Sequence, residues 1–265
     1  MGWVWQEGDD GLTPLNSPLR ATFLHLPGIG PTTEQNLWRQ GVRDWGDLEK
    51  LERFPGISSG HLDKVKDEAR QSEVAFQRGD PEYFARVLPS REHWRLYPDF
   101  RGRTAFLDIE TTSFTPHYGI VTCVTVHGGG STRTLVQGED LEEIGSVLRP
   151  FALLVTFNGS QFDVPFLRAH FPQIRFPPAH ADLRWLFHRQ GLRGGLKSIE
   201  ARLRLGDRSG VEGVDGLEAI HLWYQHCRGV AGALERLVAY NRADTVNLEP
   251  LMEYAVRRLT RTFSQ

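Results

Sequence analysis

The 265-residue chain has no apolar run approaching the roughly 20 residues that a membrane helix needs, which excludes a helical membrane protein. Cysteine is scarce. Cys123 and Cys227 are the only two, too few and too far apart for a disulfide framework or a metal knuckle. Both fall in apolar patterns, so they are expected as reduced core thiols of a cytoplasmic protein. The first ten residues lack a basic region followed by an apolar stretch, so no secretory signal is expected. A strong excess of one charge is missing too. With 31 Lys/Arg, 33 Asp/Glu and a net charge of −2, the balance alone does not announce a nucleic-acid binder. What is present supports a core: 40% apolar and 11% aromatic residues argue against global disorder. The length suits one large domain, or a medium one with a smaller companion.

Charge is unevenly spread. Residues 1–100 carry 12 basic against 16 acidic residues, and residues 101–265 carry 19 against 17. The segment 168–204 holds eight basic residues, from Arg168 to Arg204, opposed only by Asp182 and Glu200. It reads equally as a phosphate track or as the solvated face of two helices.

Pro-Gly-Ile occurs at 27–29 and again at 55–57, each time between helix-like segments. Such a turn uses the positive φ that glycine permits. The spacing predicts helices around 45–51 and 61–76, and an all-α module over residues 1–78. Residues 79–103 form a connector rich in charge and proline. Trp94, Leu96, Tyr97 and Phe100 should anchor it as short helical turns. From Thr104 the pattern becomes α/β, with strands expected at 104–110, 119–127, 131–137 and 152–157. Helices should follow near 140–149, 163–170, 183–190 and 195–204, and over 215–228 and 231–259. Three strands close in sequence, then alternating elements, predict a mixed sheet with helices on its faces.

Carboxylates punctuate this part. In Phe106-Leu-Asp-Ile-Glu, alternation along a strand turns Asp108 and Glu110 to one side. Two buried anions repel each other and lose hydration, and a hard divalent cation held by oxygen relieves both problems. Asp163 follows the Asn158-Gly turn at the start of a helix, where alone it would read as a cap. Tyr240 and Asp244, four apart on a helical pattern, project together. Asp182 is expected as a helix cap and His180 as structural.

Taken together, Asp-x-Glu on a first strand, Asn-Gly-x-x-Phe-Asp after a later one and Tyr-x-x-x-Asp on a late helix resemble the three motifs of the DnaQ-like (DEDD) 3′–5′ exonuclease superfamily, tyrosine subclass. Glu92-His-Trp-Arg-Leu, Gly195-Leu-Lys-Ser-Ile-Glu, Gly213-Val-Asp-Gly and Tyr240-Asn-Arg-Ala-Asp resemble its YprB-like branch most closely. This resemblance spans about residues 90–258. It implies a ribonuclease H-like α/β domain over 104–265 with a mixed five-stranded sheet. It further implies two Mg²⁺ or Mn²⁺ ions on Asp108, Glu110, Asp163 and Asp244, with Tyr240 orienting the attacking water. Asn158 is read as closing its turn, with contact to the substrate's terminal nucleotide as the alternative. Residues 1–78 resemble a tandem helix-hairpin-helix module, with 26–30 matching the hairpin well and 54–60 less well, in which backbone N–H groups at Gly28 and Gly30 hold a nucleic-acid phosphate. The implied partner is single-stranded DNA or RNA at its 3′ end. A structure-selective endonuclease and a non-catalytic binding module are the competing readings.

Overall fold

Glycine, proline and acidic caps cut the N-terminal stretch into short helices. The computed structural model describes residues 17–54 and 58–264; the second Pro-Gly-Ile therefore lies outside the described residues. Helix α1 (Pro31–Arg39) begins with proline in its first turn, where the missing N–H costs nothing. Asp44 caps α2 (Trp45–Glu49) by accepting the Asp47 N–H, and α3 spans Ser59–Gln77. Asp80 caps α4 (Pro81–Val87), and a 3-10 stretch at Ser90–Leu96 leads into α5 (Tyr97–Phe100). Trp94, Leu96, Tyr97 and Phe100 are all buried, as their pattern in the connector implied.

Gly28 adopts φ +70°, the left-handed conformation expected of this turn. Its position is crowded as well. A Cβ there would lie 2.7 Å from His61 Nε2, which itself bonds the Pro27 carbonyl at 2.9 Å. Glu34, one of the acids of this stretch, is internal. Arg95 grips both its oxygens, at 3.1 and 3.0 Å, and the Thr22 hydroxyl and Phe23 N–H also donate to it. Met1–Asp99 and Arg257–Gln265 make one compact unit, and Phe100–Val256 makes the other. Within the first unit, the Phe263 ring lies 4.5 Å from that of Trp38.

The second unit is built on a sheet of order β3-β2-β1-β4-β5. Its strands are β1 (Thr104–Thr111), β2 (Val121–Gly128), β3 (Ser131–Val136), β4 (Leu153–Thr156) and β5 (Ala179–Asp182). β1 is antiparallel to β2, and β2 to β3. β4 runs parallel to both β1 and β5. This is the mixed five-stranded ribonuclease H-like sheet that the motifs implied. Alternation sorts β1 between two cores. Ala105, Leu107 and Ile109 join Val124, Leu135, Leu148 and Phe166, supplied in part by helices α6 (Ile144–Leu148) and α7 (Asp163–His170). Leu107 and Phe166 are fully buried, each burial being worth about 1.5–3 kcal/mol. Helices α8 (Leu183–Arg189) and α9 (Leu196–Leu203) precede α10 (Gly216–Cys227) and α11 (Ala233–Val246). Leu222, Leu237 and Tyr240 from the last two pack with Cys123 of β2, which pairs with Glu110. The sheet side bearing Asp108 and Glu110 therefore faces α11.

Two expectations need correction. The helical pattern over 231–259 is two helices, α11 and α12 (Leu248–Thr260), parted at Asn247. Pro250 lacks an N–H and would clash with the Val246 carbonyl, so one continuous helix is excluded. The Asn247 side chain uses the break: its Nδ2 donates to the Asp207 carbonyl and its Oδ1 accepts the Asp207 N–H. Cys227 is not a core thiol. Both cysteines are free, but Cys227 is exposed, because α10 ends there before anything covers the next turn of the Ala219–Trp223 stripe. Among the described residues, no helix is long and apolar enough to cross a membrane.

Candidate metal centre

The site forms where β1 outruns its short parallel neighbour. β4 pairs with β1 only as far as Phe106, so Ile109 beyond it has no β4 partner. The Asp163 carboxylate accepts the Ile109 N–H, drawing the start of α7 to the carboxylate strand. A register irregularity between Glu110 and Thr111 ends the regular pairing with β2 at the same point.

Asp108, Glu110 and Asp244 each offer an oxygen within 4.8 Å of the others'. Asp108 is half-buried, whereas Glu110, Asp163 and Asp244 are buried. Asp163 stands beside this trio, close enough for its charge to act on both Asp108 and Glu110. Burial pushes the Asp108 carboxyl well above the usual carboxylate range, and the charges of Asp163, Asp244 and Glu110 push it further. Glu110 is raised in the same way, by burial first and then by Asp244 and Asp163. Burial lifts Asp163 to about 7, against the pull of its backbone donors. Four mutually repelling acids with hard oxygen donors suit Mg²⁺ or Mn²⁺. The donor set contains no sulfur or imidazole.

Tyr240 is buried and hydrogen-bonded to Asp244. Burial, and then the charges of Asp244, Glu110 and Asp108, drive its hydroxyl far above its ordinary value, so it keeps its proton at neutral pH.

A family model of the RNase H superfamily matches residues 105–256, more than half of the chain. The chain belongs to the RNase H superfamily. No curated protein sequence matches it. Among solved structures, it is similar to the family B DNA polymerase of the hyperthermophilic archaeon Pyrobaculum calidifontis (16% identity, TM-score 0.46, covering 61% of this chain and 27% of that one). It is also similar to Brucella melitensis NrnC with bound Mg²⁺ (18%, 0.42, 63% and 79%) and to the Aedes aegypti Nibbler EXO domain (11%, 0.42, 66% and 92%). The chain thus spans about a quarter of the polymerase's length.

On this RNase H scaffold the other sequence-derived candidates sort by place. Asn158 has φ +68°, its N–H donates to Asp182, and its Oδ1 accepts from Arg184 Nη1 at 2.6 Å. Its side chain is thus engaged by Arg184 of α8. Gly159 beside it has no room for a side chain, since a Cβ would fall 2.3 Å from Thr156 Oγ1. Asp182 caps α8 through the Arg184 N–H and also binds Ser160, while His180 bonds Thr156 Oγ1. Gly28 and Gly30 lie in the other compact unit. Of the basic run 168–204, all but Lys197 are exposed.

Four residues at the site carried no role in the sequence reading. Asn241 donates to Asp108 Oδ2 at 2.8 Å. Lys197 lies 4.7 Å over the Tyr240 ring, donates to the Val214 carbonyl and opposes the upward shift of Glu110. Arg208 bridges Asp244 and Glu200 at 2.5 Å each. Asn241, Lys197 and Glu200 stand inside motifs that the resemblance quotes. Arg208 sits in a Gly-Asp-Arg-Ser-Gly turn with no periodicity to place it.

Proposed function

We propose that this chain is a divalent-metal-dependent 3′–5′ exonuclease, with single-stranded DNA as the favoured substrate and RNA as the second. The observation that carries this reading is the close trio of Asp108, Glu110 and Asp244, with Asp163 at its side. Family membership supports phosphodiester chemistry, and the choice of a 3′ end rests on the tyrosine-subclass motifs. Four carboxylates balance the charge of two divalent ions. When bound, such ions supply Lewis acidity toward phosphate oxygens and toward the attacking water. The protein's own part is positional. Asp108 is oriented by Asn241, Asp163 by the Ile109 N–H, and Asp244 by Tyr240. The Tyr240 hydroxyl spends its single hydrogen on Asp244, so its oxygen is left to orient a water as an acceptor and is unsuited to taking its proton. Lys197, beside that ring, adds positive charge at the mouth of an acidic site.

Residues 104–265 would carry the chemistry and residues 1–78 the grip on substrate. The α1 N-terminus has no side-chain cap, so its amides and the Gly28 and Gly30 N–H groups are suited to a backbone phosphate, whereas the Ile29 N–H is spent on the Leu26 carbonyl.

A 5′-labelled linear single strand, incubated with Mn²⁺, should shorten progressively, while a circular single strand stays intact. EDTA should stop the reaction. Nicking of the circle would make the enzyme an endonuclease, and inertness toward both substrates would refute catalysis.

A further inference from the structure

We infer that Arg208 is a positioning residue of the metal centre, holding Asp244 in the orientation that presents its carboxylate to Asp108 and Glu110. The inference rests on the metal-site reading above and assigns a role to a residue outside its motifs. Arg208 lies in the loop between α9 and α10, and two of its three nitrogens are committed. Nη1 donates to Asp244 Oδ1 and Nε to Glu200 Oε2, each at 2.5 Å. Glu200 is a buried anchor, only 4% exposed, and is itself bonded by Asn247 Nδ2 at 3.1 Å. Asn247 sits at the break between α11 and α12 and binds the Asp207 backbone beside Arg208. The guanidinium is therefore held directly by Glu200, while Asn247 steadies both that carboxylate and the backbone beside Arg208.

Asp244 alone could turn about its side-chain bonds. Held on one side by the Arg208 fork and on the other by the Tyr240 hydroxyl, it loses that freedom, as metal ligands do when outer groups orient them. Charge points the same way. Arg208 and Glu200 cancel as a pair, so the guanidinium adds geometry to the site and little net field. Arg208 Nη2 is buried with no hydrogen-bond partner among the described residues. The fold retains this unsatisfied donor together with the fork, and a lysine could not span both carboxylates.

The test is Mn²⁺ binding to the full chain, measured by calorimetry or electron paramagnetic resonance, with thermal unfolding of the metal-free protein as the folding control. Arg208→Lys keeps the charge and removes the fork. It should weaken Mn²⁺ binding about 10–100-fold while unfolding within a few degrees of wild type. Glu200→Gln, which cuts the anchor from the other end, should weaken binding in the same direction. In an Asp244→Asn background, Arg208→Lys should cause no further loss. Folded R208K and E200Q proteins that bind Mn²⁺ as well as wild type, or more tightly, would overturn the inference alone. A wild-type protein that binds no Mn²⁺ would overturn the metal-site reading and this inference with it.

Discussion

Asn241 of α11 donates its Nδ2 hydrogen to Oδ2 of Asp108 on the central strand, across 2.8 Å. The contact holds the carboxylate without neutralising it, so its repulsion from Glu110, Asp163 and Asp244 persists in the metal-free protein. Asp108→Asn keeps an acceptor for Asn241 and removes the charge. Cleavage should fall more than about 100-fold for loss of a ligand to the ions. The metal-free melting temperature at pH 7.5 should rise by about 2–4 °C, the shift that ~1 kcal/mol produces in a domain of this size. Asp244→Asn should give no such rise, because Arg208 loses its ionic partner. Wild-type activity in a purified Asp108→Asn protein would place the site elsewhere.

Tyr240→Phe separates positioning from proton transfer. The hydroxyl stays protonated throughout the working range, so its loss should lower kcat about 10–100-fold and leave the shape of the pH–rate profile unchanged. Disappearance of an alkaline or acidic limb in the variant would show that Tyr240 titrates during turnover.

His25 should make the N-terminal unit sensitive to acid. Its Nε2 bonds Ser72 Oγ at 2.8 Å and its Nδ1 is buried without a partner among the described residues. Burial first, and the Arg95 charge second, hold the imidazole down to about 3. The unfolded chain takes up this proton near 6.5, and the folded chain does not until about 3. Stability from this group is thus present above 6.5 and lost as pH falls toward 3, at about 1.4 kcal/mol per pH unit. Asp163, raised to about 7, acts in the opposite sense, so the readout is the difference between two proteins. In urea titrations at pH 7.5 and 5, His25→Leu should lose less stability on acidification than wild type. Equal losses would remove His25 as the cause.

Gly28→Ala should destabilise by about 1–2 kcal/mol, because φ +70° is costly for an L residue. Relief of the clash by swinging His61 away would forfeit its bond to the Pro27 carbonyl. Gly30→Ala, at φ −98° with open space around it, should lose less than about 1 kcal/mol. Chemical denaturation of the two variants decides the matter, and equal effects would mean that the turn is not conformationally demanding.

Local pattern was enough for part of this protein. Alternation along residues 104–111 put Asp108 and Glu110 on one side, and i, i+4 spacing put Tyr240 beside Asp244. The Pro-Gly-Ile turn at 27–29 announced a positive φ. These features depend on strand and helix periods and on the backbone freedom of glycine, which are written in neighbouring residues. The break at Asn247 was missed by the helical pattern over 231–259, although Pro250 cannot continue a helix from Val246. Contacts between distant segments were decided only by tertiary structure. The shortness of β4 left Ile109 for Asp163, and a turn without periodicity delivered Arg208 to Asp244 across 36 positions of sequence. Glu34 is paired inside the protein by Arg95, 61 residues away. The exposure of Cys227 likewise depends on what fails to cover the end of α10. The physical reason is common to all four: a charged or polar group does not carry its partner in its own neighbourhood of sequence, and only chain folding decides which distant group satisfies it.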